Sequence, residues 1–309
     1  MKMNINNIVK ITMDDKNHPV LKNHVTNKGD NKMQRIISMA TKLAVTLVVS
    51  AILLPTHSYS QTAVNSWPGA EEIVKRINDR DEGMQVTRTL KMELINRKGK
   101  KRERVTRGFR KYFGEEKRTV IFYESPKNIK DTAFLTFDYP DSKRDDDQWL
   151  YLPALRKVRR ISASDRGDYF LGTDFTYEDI KKESKVSIDD YTRKTIGEET
   201  IDGHRTYIIE SIPVNKKIAK ELGYGRVLQW VDAEIWMVRK SEFWDVRGKT
   251  LKTIQSKEIR LVQGIWTSHR IEAENHKTKH KTIFIFSDVD YQSEVKDDIF
   301  TERALRRGL

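Results

Sequence analysis

Cysteine is absent from the 309-residue chain. That excludes a disulfide scaffold, a Cys-ligated zinc or iron–sulfur site, a thiol nucleophile and a lipid-modified N-terminal cysteine. The one conspicuous apolar run, Leu43 to Leu54, has twelve residues, whereas a membrane span needs about 20. No GxGxxG or phosphate-binding loop occurs, no GxSxG elbow, no HExxH and no repeat of fixed period. Histidine is scarce beyond residue 60, where it occupies only positions 204, 269, 276 and 280. His276 and His280 would be neighbours on a helix, but their surroundings alternate as a strand. On a strand such positions lie about 13 Å apart, too far to share a metal. Asp145, Asp146 and Asp147 sit in a polar turn. No catalytic residues, metal or cofactor are therefore expected.

What is abundant is positive charge. There are 58 Lys and Arg against 45 Asp and Glu, a formal excess of +13. Residues 1–60 hold eight basic and three acidic residues, so +5 of that excess lies there and +8 beyond. The same segment has the layout of a secretory signal. Residues 1–32 form a polar, Asn- and Lys-rich extension. Met33, Arg35 and Lys42 then precede the apolar run, Pro55 ends it, and Ser58 and Ser60 place small residues ahead of Gln61. The expected organisation is an extension over 1–32 with Met33 as an alternative start, a signal peptide over 33–60 cleaved between Ser60 and Gln61, and one domain over 61–309. Export to the periplasm argues against nucleic acid as a partner and directs the remaining charge toward anionic headgroups or acidic protein surfaces.

The mature chain opens on an amphipathic helix. Ala70, Ile73, Val74 and Ile77 recur at helical spacing with Glu71, Glu72, Lys75 and Arg76 on the other face; Ser66 suits its cap and Gly83 lies past its end. Thereafter a period of two dominates. It predicts strands at 84–95, 104–113, 119–123, 133–137, 148–152, 205–211, 228–231, 236–246, 250–260, 265–275 and 282–289. Ten or eleven strands joined by short turns imply a mainly β, mostly antiparallel sheet. Two stretches break the rhythm: the basic segment 155–166, and 172–183, which reads as a loop leading into a short helix capped by Thr176.

The run Trp149-Leu150-Tyr151-Leu152-Pro153-Ala154-Leu155-Arg156-Lys157-Val158-Arg159-Arg160-Ile161 is unusual. It continues at Arg166-Gly167-Asp168-Tyr169-Phe170-Leu171-Gly172-Thr173-Asp174-Phe175-Thr176-Tyr177-Glu178-Asp179-Ile180. With Lys240-Ser241-Glu242-Phe243, Gly264-Ile265-Trp266 and the segment from Asp298 to Leu305, it resembles the LolA-like outer membrane lipoprotein-sorting proteins over nearly the whole mature chain. The resemblance implies a LolA/LolB-like fold: a curved, incompletely closed antiparallel β-barrel or half-barrel with a helical lid. It also implies carriage of an acylated lipid or lipoprotein toward the outer membrane, transient membrane contact, and an RND-type inner-membrane exporter as a partner. A module that docks on such an exporter without carrying cargo is the alternative.

A soluble carrier needs an apolar concavity, since each buried acyl CH₂ contributes about 0.8 kcal/mol. Phe134, Phe137, Trp149, Tyr151, Leu155, Phe175, Trp230 and Trp236 are the candidate cavity residues, drawn from a larger aromatic and aliphatic pool. Arg156, Arg159 and Arg160 abut the most distinctive apolar segment, and Asp174 and Asp179 follow it. These residues are the lid or gating candidates: an Arg–carboxylate latch, Arg159 with Asp174, is one expectation, and a helix-capping and loop-stapling role for the carboxylates is the other. The dense cluster from Arg97 to Arg104 reads as a solvated hairpin tip or as a contact for anionic headgroups.

Overall fold

The computed structural model describes residues 67–141, 144–183 and 185–309. The polar extension, the expected signal peptide and the Ser60–Gln61 cleavage site lie outside the described residues. Within the unit from Ala63 onward, helix α1 (Ala70–Asp79) buries all four of its periodic apolar residues. Gly69 is its N-cap, and its chain turns extended at Arg80. Thirteen strands follow: β1 (Gln85–Ile95), β2 (Lys101–Phe113), β3 (Glu116–Ser125), β4 (Ala133–Asp138), β5 (Asp147–Leu152), β6 (Lys157–Arg160), β7 (Tyr191–Ile201), β8 (His204–Pro213), β9 (Arg226–Asp232), β10 (Val238–Trp244), β11 (Thr250–Val262), β12 (Ile265–Asn275) and β13 (His280–Asp290). Helix α2 (Tyr177–Lys182) lies between β6 and β7, α3 (Lys216–Leu222) between β8 and β9, and α4 (Glu302–Arg307) near the end.

All thirteen strands form one antiparallel sheet in the order β6-β5-β4-β3-β2-β1-β13-β12-β11-β10-β9-β8-β7. The chain thus builds one half outward from β1, returns through α2, and builds the other half inward from β7 until β13 closes on β1. Strands β6 and β7 remain edges, so the curved sheet does not close into a barrel. β6 and β7 are also the two strands beyond those expected from the sequence pattern.

Because successive side chains alternate, register assigns each residue to a face. Leu90 and Met92 of β1 stand opposite Phe286 and Phe284 of β13. They belong to a core with Ile121, Tyr123, Phe134 and Leu150, covered by Phe170, Phe175 and Tyr177 of the segment leading into α2. At the far end of this inner face, α1 packs against Tyr207, Ile209 and Val231. The outer face of β3 and β4 is buried separately: Val120, Phe122, Ala133 and Leu135 pack on Val295, Phe300 and Leu305 at the chain's end. Each fully buried aliphatic of this kind stabilises the fold by about 1.5–3 kcal/mol before entropy is subtracted.

On the outward side of β12, Glu272 accepts charge-assisted bonds from Arg270 (2.6 Å), Lys281 (2.8 Å) and Lys257 (3.3 Å). Burial alone would raise its pKa, but these three donors outweigh it and hold the carboxyl down at about 2. A carboxylate depressed in the folded state adds stability above its unfolded pKa and loses it as pH falls through the folded value. Glu272→Gln is therefore expected to cost about 2 kcal/mol at neutral pH. The gap to the parent chain should shrink between roughly pH 4.5 and pH 2, as read by chemical denaturation across that range; a pH-independent gap contradicts the assignment.

Candidate functional site

The segment from Phe170 to Lys182 closes over the inner face. Helix α2 begins with a reciprocal capping box: the Asp179 N–H donates to Thr176 Oγ1 (3.1 Å) and the Thr176 N–H to Asp179 Oδ2 (2.8 Å). Behind it stands Lys252 of β11, fully buried. Its Nζ donates to the Asp174 carbonyl (3.0 Å) and to Asp179 Oδ2 (2.5 Å). Asp174 is fixed from β13, where Thr282 Oγ1 donates to Oδ2 at 2.7 Å and His280 Nδ1 lies 2.6 Å from the same oxygen. Phe175 stacks on Phe284 with ring centroids 4.1 Å apart. On the other side, Arg104 of β2 donates to the Leu171 carbonyl at 2.7 Å. Two sheet halves thus grip one lid.

Beneath α2 and the segment after it lies a cavity of about 250 Å³. Its apolar lining includes Leu90, Ile121, Phe175, Ile254, Phe284 and Phe286. The remaining wall is charged or polar, with Arg80, Arg88, Arg110, Lys185, Arg193 and Ser211 among its residues. Two of these cations are neutralised: Arg88 pairs with Glu183, and Arg110 with Glu82 at 3.2 Å. Burial lowers the Arg110 pKa, but the Glu82 and Glu183 carboxylates outweigh it and the net shift is upward. Arg80, Lys185 and Arg193 are held below their ordinary ranges, chiefly by burial. A second, polar cleft of about 1040 Å³ adjoins, sharing Arg80, Glu82, Lys185 and Ser187 as lining.

The eight candidate cavity residues separate by face. Phe175 lines the cavity. Phe134 also points inward, but it is fully covered by Phe170 and Tyr177, with centroids 5.0 and 5.5 Å away. Phe137, Trp149 and Tyr151 belong to the outer cluster with Phe300 and Leu305, because they occupy the opposite parity of β4 and β5. Trp230 also faces outward, donating to Glu199 at 2.6 Å beneath Lys240. Trp236 packs against the α1 cluster, where Arg76 lies over its ring. Leu155 is exposed.

The expected Arg159–Asp174 latch is not formed. Arg159 sits on the exposed β6 edge with Asp165 at 3.7 Å, and Arg160 pairs with Asp147. Arg156 is exposed in a left-handed turn that ends a short 3₁₀ helix. Asp174 is committed to His280 and Thr282, and Asp179 to Lys252. The lid is therefore latched by a carboxylate–lysine pair reaching across to β11. Among the described residues no group of three or more His, Asp or Glu is arranged to hold a metal ion. No described helix is long and apolar enough to cross a membrane.

A family model described only as an uncharacterized-protein-like family matches residues 115–307. Among solved structures, one described as an outer membrane lipoprotein-sorting protein domain from Vibrio parahaemolyticus is 30% identical. The match covers 77% of this chain and 98% of that one, with a TM-score of 0.69. A DUF1329 family protein from Desulfovibrio piger is 28% identical over 76% and 97% of the two chains, TM-score 0.70. A LolA superfamily protein from Nitrosomonas europaea, 20% identical over 77% and 100%, shares the fold with a TM-score of 0.58. No curated protein matches the chain.

Proposed function

The chain belongs to the LolA-like outer membrane lipoprotein-sorting proteins, and on that footing we propose that it is a periplasmic carrier that buries an acyl chain of a lipid or lipoprotein beneath its lid. The observation that carries this reading is the cavity itself: an apolar wall of Leu90, Ile121, Phe175, Ile254, Phe284 and Phe286 on the inner face of an open sheet, roofed by a short helix. Its volume of about 250 Å³ lies just below the roughly 300–1,000 Å³ typical of small-molecule pockets. That suits one chain better than three. A cleavable signal over 33–60 would place the carrier in the compartment where such cargo crosses water. A carrier-and-binding fold supplies this activity by burial alone, and no catalytic step is assigned.

Burial of apolar surface provides the affinity, and the lid determines access. The cargo need not be recognised in detail along its chain, because methylene burial is non-directional. Protein recovered from the periplasm is expected to yield acylated species by mass spectrometry of organic extracts. The delipidated protein should then bind a fluorescent sixteen-carbon fatty acid. Replacing Ile254 by Trp, which fills the cavity from β11, should reduce that binding at least tenfold while the far-ultraviolet circular dichroism stays unchanged. Repeated recovery without lipid, together with no binding of the fatty acid, would overturn the reading.

A further inference from the structure

The cavity wall holds buried polar atoms that have no partner among the described residues: Arg80 Nε, Arg110 Nε, Arg193 Nε and Ser211 Oγ. All four can donate a hydrogen bond, and three of them can do nothing else. Glu178 is the one acidic lining residue with such atoms, and its carboxylate has Lys181 at 2.9 Å. Native proteins leave few buried polar groups unsatisfied, so such donors on residues that line one cavity need an explanation.

Their placement is systematic. Arg193 and Ser211 are direct cross-strand partners in the β7–β8 pair, on the same inward face. The Arg193 guanidinium reaches the Ser187 and Ile188 carbonyls, and Lys185 Nζ reaches the carbonyls of Asn78 and Arg80. Lys185 and Ser187 are two residues apart, so both groups of donors gather under one short stretch of chain. No carboxylate lies within ion-pair distance of Arg80, Lys185 or Arg193 among the described residues, although Arg88 and Arg110 each have one. Three half-buried cations on one wall, none of them in an ion pair with a carboxylate, favour an anion beside them.

We propose that this wall, formed by Arg80, Lys185, Arg193 and Ser211, is a subsite for the anionic headgroup, phosphate or carboxylate, of an amphiphile whose chain lies against Phe175, Phe284 and Phe286. The proposal rests on the carrier reading and sharpens it, since it names the charge of the cargo. An anionic head at this wall gives Arg80, Lys185 and Arg193 the charge partner that no ion pair supplies. The same contact keeps the apolar end of the ligand on the apolar wall.

The test compares ligands that share one chain and differ at the head, measured by fluorescence displacement on the delipidated full-length mature protein. Palmitate and 1-palmitoyl-glycerol 3-phosphate are expected to bind roughly 10–100-fold more tightly than methyl palmitate, the ratio a buried charge-assisted hydrogen bond supports. Arg80→Gln and Ser211→Ala should each narrow that ratio by weakening the two anionic ligands more than methyl palmitate. Ser211→Ala serves as the second variant because removing an unpartnered hydroxyl does not threaten the fold. Equal binding of palmitate and its methyl ester overturns the headgroup subsite and leaves the carrier reading standing. Inorganic phosphate competing as well as the phospholipid assigns the wall to a free anion and also overturns it. Failure of every amphiphile to bind ends the carrier reading, and the subsite with it.

Discussion

Lys252→Met is expected to destabilise the fold by about 3 kcal/mol, within the range for breaking a buried ion pair from one side. The lysine is wholly inaccessible, yet it donates to two groups of the lid, the Asp174 carbonyl and the Asp179 carboxylate. Its ammonium also lies over the rings of Phe243 and Tyr224, at 5.0 and 5.2 Å from their centroids. Met is one atom shorter and fills most of the volume, but leaves Asp179 facing an apolar wall. Asp179 retains the Thr176 N–H and the Tyr224 hydroxyl, so the cost stays below that of a fully orphaned charge. In a chain of this size the change corresponds to a fall in melting temperature of roughly 6–12 °C. The double variant Lys252→Met with Asp179→Leu should recover part of the loss, because two apolar groups of matching shape need no desolvation of charge. A strictly additive double variant would show that the pair does not act as a unit. Amide exchange should localise the effect: protection in Phe170–Lys182 is expected to drop well before that of β3 or β4.

Gly167→Ala should be nearly as damaging, by about 3 kcal/mol, for a steric reason. A Cβ at this position would stand 2.4 Å from the Glu221 carbonyl oxygen and 2.7 Å from the Leu222 carbonyl carbon and oxygen. Those atoms are backbone at the end of α3, so no rotamer change relieves the contact. Beside it, Arg166 grips Asp190 through two bonds of 3.0 Å and lies 3.4 Å from Glu221. The backbone approach and this ion-pair cluster together dock the lid segment on α3 and on the chain leading into β7. Gly99→Ala is the matched control. Its glycine has φ of 76° in a hairpin turn with nothing within 4 Å, so it carries only the left-handed penalty of about 1–2 kcal/mol. Equal effects of the two variants in thermal denaturation would remove the close-packing argument.

The parts of the fold that were legible in the sequence are those where hydrophobicity keeps a clean period. Ala70, Ile73, Val74 and Ile77 announced α1, and Ile265 to Asn275 marked β12 to the residue. Strand β6, Lys-Val-Arg-Arg, has one apolar residue and escaped notice. Strand β7 places Tyr191, Arg193 and Thr195 inward, so its inner face carries little apolar signal. Helix α3 did have readable punctuation: Asn215 accepts from the Ile218 N–H as N-cap, and Gly223 ends the helix in the left-handed region. Its seven residues are too few for amphipathic spacing to stand out.

Site residues were harder to read for a specific reason. Alternation tells which residues share a face, but β3 to β5 are buried on both faces, so an aromatic such as Trp149 looks the same whether it meets the lid or the chain's end. The latch partner of Asp179 was legible only as a lysine in a strand, since nothing local marks Lys252 as buried. Polar lining residues such as Ser211 and Arg193 gave no signal at all. Their significance depends on what fails to pack against them, which is a property of the assembled cavity.

The two halves of the open sheet differ in how they are backed, and this has a mechanical consequence. Strands β3 and β4 are sandwiched between the lid core and the C-terminal segment, whereas the outward positions of β7, from Thr192 to Glu198, face water. A curved sheet clamped on one side and bare on the other bends where it is bare, like a leaf spring held at one end. Widening of the concavity should therefore come from the β7–β8 flank swinging away while β3 and β4 hold still. The widest opening would then lie along the free edge, beside Arg193 and Ser211.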